Sequence, residues 1–354
     1  MKALLIIFLG ILCSRPLLAD FEFYRGTRQM GMGGASIAVV NDETAVLSNP
    51  NGLGKVRDYF FTVLDPEIMG STGQTSTLTD TSVFNSVNPE DTYNALGDQL
   101  GEPNYFRGQM FPSIVLPNFG IGVLGRYEVL SRRNDDGTFD YNYQNDYSLN
   151  LAYNMRFWGG RIKLGFAGRL INRVEFFGTR DPSIQSLAIS SFATEGLGLS
   201  VDSGITFAAP WRWLPTLAIY VRDVGNTAFT MGDGFFGNSS NGTPQTVEQS
   251  IDAAIAIFPI TSKYTRSTFT VEYTGVDSTD EVDDHMDRTH IGMEFNMYDA
   301  YFLRAGYHQN DWTAGFEYAS GIFQLQFATF AEQVTFGTVT ESDRRGTIKF
   351  AVRF

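Results

Sequence analysis

Runs in which every second residue is apolar recur along most of this 354-residue chain, and they limit it to folds built from half-buried strands. The last of them, TIKFAVRF, places Ile348, Phe350, Val352 and Phe354 on one face and Lys349, Ala351 and Arg353 on the other. In YSLNLAYNMRF, Tyr147, Leu149, Leu151, Tyr153, Met155 and Phe157 alternate with Ser148, Asn150, Ala152, Asn154 and Arg156. In HIGMEFNM, Ile291, Met293, Phe295 and Met297 alternate with His290, Gly292, Glu294 and Asn296. Successive side chains point to opposite faces of a strand, so each run predicts one apolar and one polar face. The polar faces also carry Asp202, Asp252, Glu272, Arg304 and Glu317, charges that are costly against lipid but suit a wet or filled interior.

About fourteen such runs are predicted, the first over 58–69 and the last over 343–354, an even number suited to antiparallel closure. Their connections alternate in length. Short turns such as PN, WGG, YDA and SG follow even-numbered runs, whereas 70–104, 133–143, 178–194, 224–245 and 277–284 are long; the connection near HQND departs from the pattern. A transmembrane β-barrel with short periplasmic turns, long extracellular loops and both termini on the periplasmic side accounts for this. A soluble propeller or sandwich shares the period of two but does not predict the loop pattern, an export signal and a terminal aromatic together.

Lys2 followed by ALLIIFLGILC, a run too short to cross a bilayer, predicts a secretory signal peptide over 1–19, cut after Ala19. Its removal takes away Cys13, the sole cysteine, and with it disulfides and thiolate metal sites. The full chain has 26 Lys plus Arg against 39 Asp plus Glu; without Lys2 and Arg15 the balance is 24 against 39, or −15. So acidic a chain disfavours nucleic acid as a partner, because cationic contact with phosphate dominates that binding. The mean hydropathy, −0.12, is compatible with a barrel because only alternate strand residues face lipid.

Residues 20–57 do not alternate. The stretch MGMGGASIAVVNDETAVLSNPNGLGKV, Met30 to Val56, is glycine-rich, and it predicts a short helix over ETAVLS, capped by Asn41 or Asp42 and ended by Pro50 and Gly52. A barrel of about fourteen strands is too wide for its own side chains to fill, so this segment is expected to occupy the interior of a barrel formed by 58–354.

The order RQMGMGGASIAVVNDETAVLSNPNGL resembles the N-terminal pattern of the FadL/TodX outer-membrane transporters of hydrophobic compounds, with their PorV-like relatives; the usual Asn-Pro-Ala stands here as Asn49-Pro50-Asn51. The resemblance implies an all-β antiparallel barrel in the bacterial outer membrane, with 20–57 as a hatch and with passive uptake of hydrophobic small molecules such as long-chain fatty acids. It makes Gly31, Gly33, Gly34, Ala35, Asn41, Asp42, Asn49, Pro50, Gly52 and Leu53 hatch positions, where they either shape the segment or gate a ligand path. Outer-membrane lipid, a hydrophobic ligand and the barrel-assembly machinery, which reads a C-terminal pattern like the one ending in Phe354, are the implied partners. The PorV-like branch implies an alternative, a non-transporting barrel that binds or shuttles exported proteins. A continuous apolar path beside the hatch favours uptake; an interior crowded with charge favours the alternative.

Other chemistries fare less well. GMGGA lacks the Lys-Ser/Thr of a phosphate loop and follows no strand. The acidic run DSTDEVDDHMD around His285 lacks the spacing and glycine of a calcium loop and reads as a solvated tip. His290 faces the polar side of its strand, where a hydrogen-bonding role is expected rather than catalysis. No enzyme, cofactor or metal site is therefore expected. In the long loops, NPEDTYNALGDQLG predicts a helix starting near Pro89, and PSIQSLAISSFA is a second helix-like stretch; together they form either a hydrophobic collecting patch or a cover over the mouth. Pro112 falls inside the strand-like QMFPSIVLP, where it cannot donate to a ladder, and is a candidate break in the wall.

Overall fold

A computed structural model describes residues 23–73, 88–97, 100–278, 285–336 and 339–354; the expected signal peptide and the centre of the acidic run lie outside them. Fourteen antiparallel strands close into one barrel. They are β1 (Phe60–Leu64 and Glu67–Ser71), β2 (Asn104–Met110 and Ser113–Leu116), β3 (Phe119–Arg133), β4 (Phe139–Phe157), β5 (Ile162–Arg180), β6 (Thr194–Ala208) and β7 (Thr216–Arg222). Then follow β8 (Ser250–Ile257), β9 (Thr265–Tyr273), β10 (Thr289–Met297), β11 (Tyr301–His308), β12 (Asp311–Ala319), β13 (Phe323–Phe336) and β14 (Val339–Arg353). The ring closes between β1 and β14, with Ile68 opposite Ile348 and Glu67 opposite Lys349.

The alternation in the sequence divides inside from outside. Tyr147, Leu149, Leu151 and Tyr153 are 45–50% exposed, whereas Ser148, Asn150, Ala152 and Asn154 are buried. Ile291 and Met293 likewise face out while His290 and Glu294 are buried, and Ile348 and Phe350 face out while Lys349 and Ala351 are buried. Trp158, Trp211, Trp213, Tyr264 and Tyr298 stand exposed at the short turns, forming an aromatic girdle. A closed wall satisfies most backbone groups from strand to strand, as hydrocarbon requires, and an apolar outer band with such a girdle belongs in the bacterial outer membrane.

The wall is uneven in height. Strands β7 to β12 have 7 to 9 residues, whereas β4 and β5 have 19 each. At ~3.3 Å per residue and a tilt of ~40°, nine residues rise ~23 Å, enough for the apolar band, so β4 and β5 stand well clear of it. On the outward face of this tall wall Tyr127, Val129, Tyr141, Tyr143 and Val174 form an aromatic patch, continuing the parity of the exposed Tyr147. A helix α3 (Pro89–Leu96), capped by Asn88, and the loop carrying Leu187 and Phe192 cover it. The loop segments thus pack on the outside of the wall, a place that neither the patch nor the mouth-cover expectation foresaw. PSIQSLAISSFA is not an α-helix; Ile189–Ser191 coils, as a 3-10 turn. Asp181 caps a single turn by accepting from the Ser183 amide at 2.9 Å, with the Gln185 amide on its carbonyl at 2.9 Å, and the turn is not continued: Ser186 takes the Ala188 amide at 3.2 Å.

In the N-terminal segment, α1 spans Thr27–Gly31 and α2 is a single turn, Ala45–Ser48; α3 follows in the first long loop. Asp42, not Asn41, holds the turn before α2: one carboxylate oxygen accepts from the Thr44 amide at 3.0 Å while the other, like the Asn41 side chain, accepts from Arg28. Pro50 does more than end α2. It opens a 3-10 turn, Pro50–Lys55, in which the Asn49 side chain accepts from the Asn51 amide at 3.1 Å.

Candidate functional site

Residues 23–56 contact inward-facing groups on opposite sides of the ring, and glycines make the closest approaches. Gly33, at φ 66°, lies so near the wall that an added Cβ would sit 2.5 Å from the Ile291 carbonyl oxygen. Gly34, at φ 85°, abuts the His290 ring. The wall answers in kind: a Cβ on Gly292 would meet the Met32 carbonyl oxygen at 2.5 Å, and one on Gly165 would meet the Asn51 nitrogen at 2.5 Å. Gly31 packs on Gly315 backbone to backbone, and Gly306 faces Gly33. Only hydrogen in place of a side chain allows this spacing.

Hydrogen bonds fix the segment where the glycines admit it. Thr313 accepts from the Gly33 amide at 2.9 Å and donates to the Gly31 carbonyl at 3.2 Å. His290 Nδ1 bonds the Gly33 carbonyl at 2.8 Å, and its ring stacks on that of His308 with centroids 4.1 Å apart. The Ser36 and Ile37 amides donate to buried Glu272 at 2.8 and 3.0 Å. Asn49 donates to the Ile37 carbonyl at 2.7 Å, closing the segment on itself, and Gly52 lies against Val40 for the same reason.

Charge completes the seating. Arg28 reaches Glu294 at 3.0 Å and Asp42 at 2.6 Å. Burial would raise the Asp42 carboxyl, but the Arg28 guanidinium and the Thr44 hydroxyl hold it well below the usual carboxylate range. Lys55 donates to the Ala38 carbonyl at 2.6 Å, and burial, with Lys163 and Arg28 adding to it, pushes its ammonium down to about 7. The inward charges read from the strands are all buried: Asp202 pairs with Arg169, Asp252 with Arg222, and Arg304 with both Glu294 and Glu317.

Beside this segment the wall ladder is broken twice at one height. Pro66 interrupts β1 and Pro112 interrupts β2. Thr62 pairs Ser113 and Glu67 pairs Gln109, so β1 carries one residue more than β2 between those points. Val63 and Leu64 consequently both face outward, the mark of a bulge. The Phe111 amide finds no ladder carbonyl and donates instead to buried Asp65 at 2.6 Å. Asp65 also lies 3.5 Å from Lys349, which reaches Glu43 of the N-terminal segment at 3.5 Å. Inside the break Phe111 and Val115 pack with Val40, Val46 and Leu53, giving an apolar seam between segment and wall. A small recess, partly open to solvent, is bordered by Tyr24, Arg28, Val40, Glu43 and Lys349.

Above the seam the interior is mixed: Met30 and Met69 pack with Tyr105, Leu130, Phe330 and Val334, and a charged row also faces inward. Arg126, Asp146 and Arg173 stand directly opposite one another on β3, β4 and β5, and Asp146 bonds both arginines, at 2.9 and 2.8 Å. Among the described residues no cluster of three His, Cys, Asp or Glu side chains is placed to hold a metal ion. The sequence reading missed Asp65 and the wall glycines Gly165, Gly292, Gly306 and Gly315. The glycines' only signal was their place on the polar face of a strand, and that does not say what approaches them.

No protein-family model and no curated protein sequence matches the chain. Its fold is matched by solved structures. The CymD monoaromatic hydrocarbon channel aligns at TM-score 0.58 with 12% identity, covering 93% of this chain and 97% of that one. The toluene transporter TodX of P. putida aligns at 0.55 with 13% identity, covering 95% and 99%. The Ralstonia pickettii toluene transporter TbuX aligns at 0.53 with 15% identity, covering 95% and 99%. Over 93–95% of its length the chain therefore has the fold of the FadL/TodX-like hydrophobic-compound channels and resembles that family.

Proposed function

We propose that the protein is an outer-membrane channel for passive uptake of hydrophobic small molecules, long-chain fatty acids among them, and that residues 23–56 are its hatch. The observation that carries this reading is the junction of the segment with the broken ladder at Pro66 and Pro112. There an apolar seam ends at a stretch of wall lacking its full set of hydrogen bonds. Apolar ligands leave water for such a seam, and a sideways exit spares them a polar pore. In this reading Gly31, Gly33 and Gly34 set the hatch against the wall, and Asn41, Asp42, Asn49, Pro50 and Gly52 keep it folded. Pro112 marks the exit. The names of the structurally similar channels support the ligand class, and no catalytic group is required.

A second reading rests on the paired inward charges and the Arg126–Asp146–Arg173 layer, which crowd the interior as a non-transporting barrel for exported proteins would allow. One experiment separates the two. Cells with and without the protein, and with a variant lacking residues 20–56, are given labelled long-chain fatty acid or labelled toluene. Uptake that depends on the intact protein supports the channel; no uptake of either compound, or passage of ions alone after truncation, sinks it.

A further inference from the structure

The loop between β7 and β8, residues 223–249, does not stand free above the barrel. Strand β7 ends at Arg222, so the upper half of β6 is left with an unpaired edge. The loop fills it: the Met231 amide donates to the Leu197 carbonyl at 2.9 Å and the Leu197 amide to the Gly232 carbonyl at 3.1 Å. Leading into this single bridge, Phe229 is buried over Arg173, whereas Met231 is 62% exposed. The chain then turns over the outer face. The amides of Phe235, Phe236 and Asn238 donate to the Glu195 carboxylate at 2.7, 2.8 and 2.8 Å. Held there, the two phenylalanines are 69% and 55% exposed, and Phe236 packs on outward-facing Tyr147 with centroids 5.5 Å apart.

Height decides what meets them. Phe157 and Trp158 lie at the short-turn girdle, and Tyr147 is ten residues up the same strand. At ~3.3 Å per residue and ~40° of tilt, that is ~25 Å, the height of the apolar band. Leu199 and Leu149, beside Tyr147 on the same face, continue the band up to the loop. We propose that Phe235 and Phe236 form a wedge seated in the acyl chains of the outer leaflet, with the Glu195 carboxylate as the anchor that aims it. Aromatic rings at a membrane interface suit this position, and the carboxylate is kept from lipid by the three amides it accepts.

The test uses single-cysteine variants in a Cys13→Ser background, spin-labelled and reconstituted in phospholipid vesicles. Phe235→Cys and Phe236→Cys are compared with Leu151→Cys as the lipid standard and Ile184→Cys, at an 80% exposed loop position, as the water standard. The expected result is collision with oxygen at the level of Leu151→Cys and protection from a water-soluble nickel chelate. Nickel access at the level of Ile184→Cys overturns the proposal. So does spin–spin broadening that disappears on dilution with unlabelled protein, since it reports a second copy on the wedge. Adding Glu195→Gln should make the label at 236 mobile and nickel-accessible; an unchanged lipid signal overturns the anchor. Folding is checked in every variant by heat-modifiable gel migration, and either phenylalanine position alone carries the test.

Discussion

Replacing Gly165 with alanine should loosen the N-terminal segment without weakening the barrel. The new Cβ would lie 2.5 Å from the Asn51 nitrogen and 2.6 Å from the Pro50 carbonyl carbon, both backbone atoms of the segment. Carbon contacts settle at about 3.5 Å, so the Pro50–Asn51 turn must retreat by roughly 1 Å. Overpacking of this kind costs about 1–3 kcal/mol, and at about 1.4 kcal/mol per tenfold the displaced segment becomes about 5- to 150-fold more populated. Gly168, three residues along β5, has open space where its Cβ would be and is the matched control, since it shares the change in strand propensity. The assay is hydrogen exchange at the Asn51 to Lys55 amides in the folded barrel, with planar-bilayer conductance as a second readout. Faster exchange and more frequent opening in Gly165→Ala, with Gly168→Ala like the parent, is the expected outcome. If the two variants behave alike, the close seating against Gly165 does not hold the segment.

Removing Asp65 with Asp65→Ala should leave the Phe111 amide buried without its acceptor, at a cost of about 1–3 kcal/mol, read as a lower midpoint in urea unfolding of the barrel. Asp146→Asn should cost more, about 3–5 kcal/mol, because Arg126 and Arg173 lose the charge between them; an unchanged midpoint would refute the pairing. Seating of the segment should also depend on pH through Lys55. Its folded ammonium titrates at about 7 and its unfolded one near the ordinary lysine value of 10.5, so between these values the unfolded state binds more protons and stability rises with pH. The destabilisation is complete below pH 7 and relieved above 10.5, so exchange at the Leu53 to Val56 amides, corrected for intrinsic base catalysis, should slow across that window. Lys55→Met should abolish the trend, and a trend that survives in Lys55→Met would place its origin elsewhere.

Much of the architecture was readable because side-chain direction in a strand has a period of exactly two residues. The faces of YSLNLAYNMRF, HIGMEFNM and TIKFAVRF follow from that period alone; the long and short connections follow from where the alternation stops, and α3 from helical spacing after Pro89. Helical stretches were read less well. PSIQSLAISSFA reads as helix-like, yet only its first turn, capped by Asp181, forms before the Ser186 side chain takes the Ala188 amide that a longer helix would need. The candidate site was legible only as composition: glycines, an Asn-Pro break and a proline in a strand.

What the sequence determined was therefore local: which side of each strand is apolar, where strands end, and that one early segment is unlike the rest. What only the tertiary structure decided was juxtaposition across the ring. That Gly292 meets Met32, that Asp65 takes the Phe111 amide, and that Arg126, Asp146 and Arg173 share one row depend on strand register and barrel closure. Such contacts join residues tens to hundreds of positions apart. Each is set by the combined registers of several ladders, so no pattern within a single stretch records it.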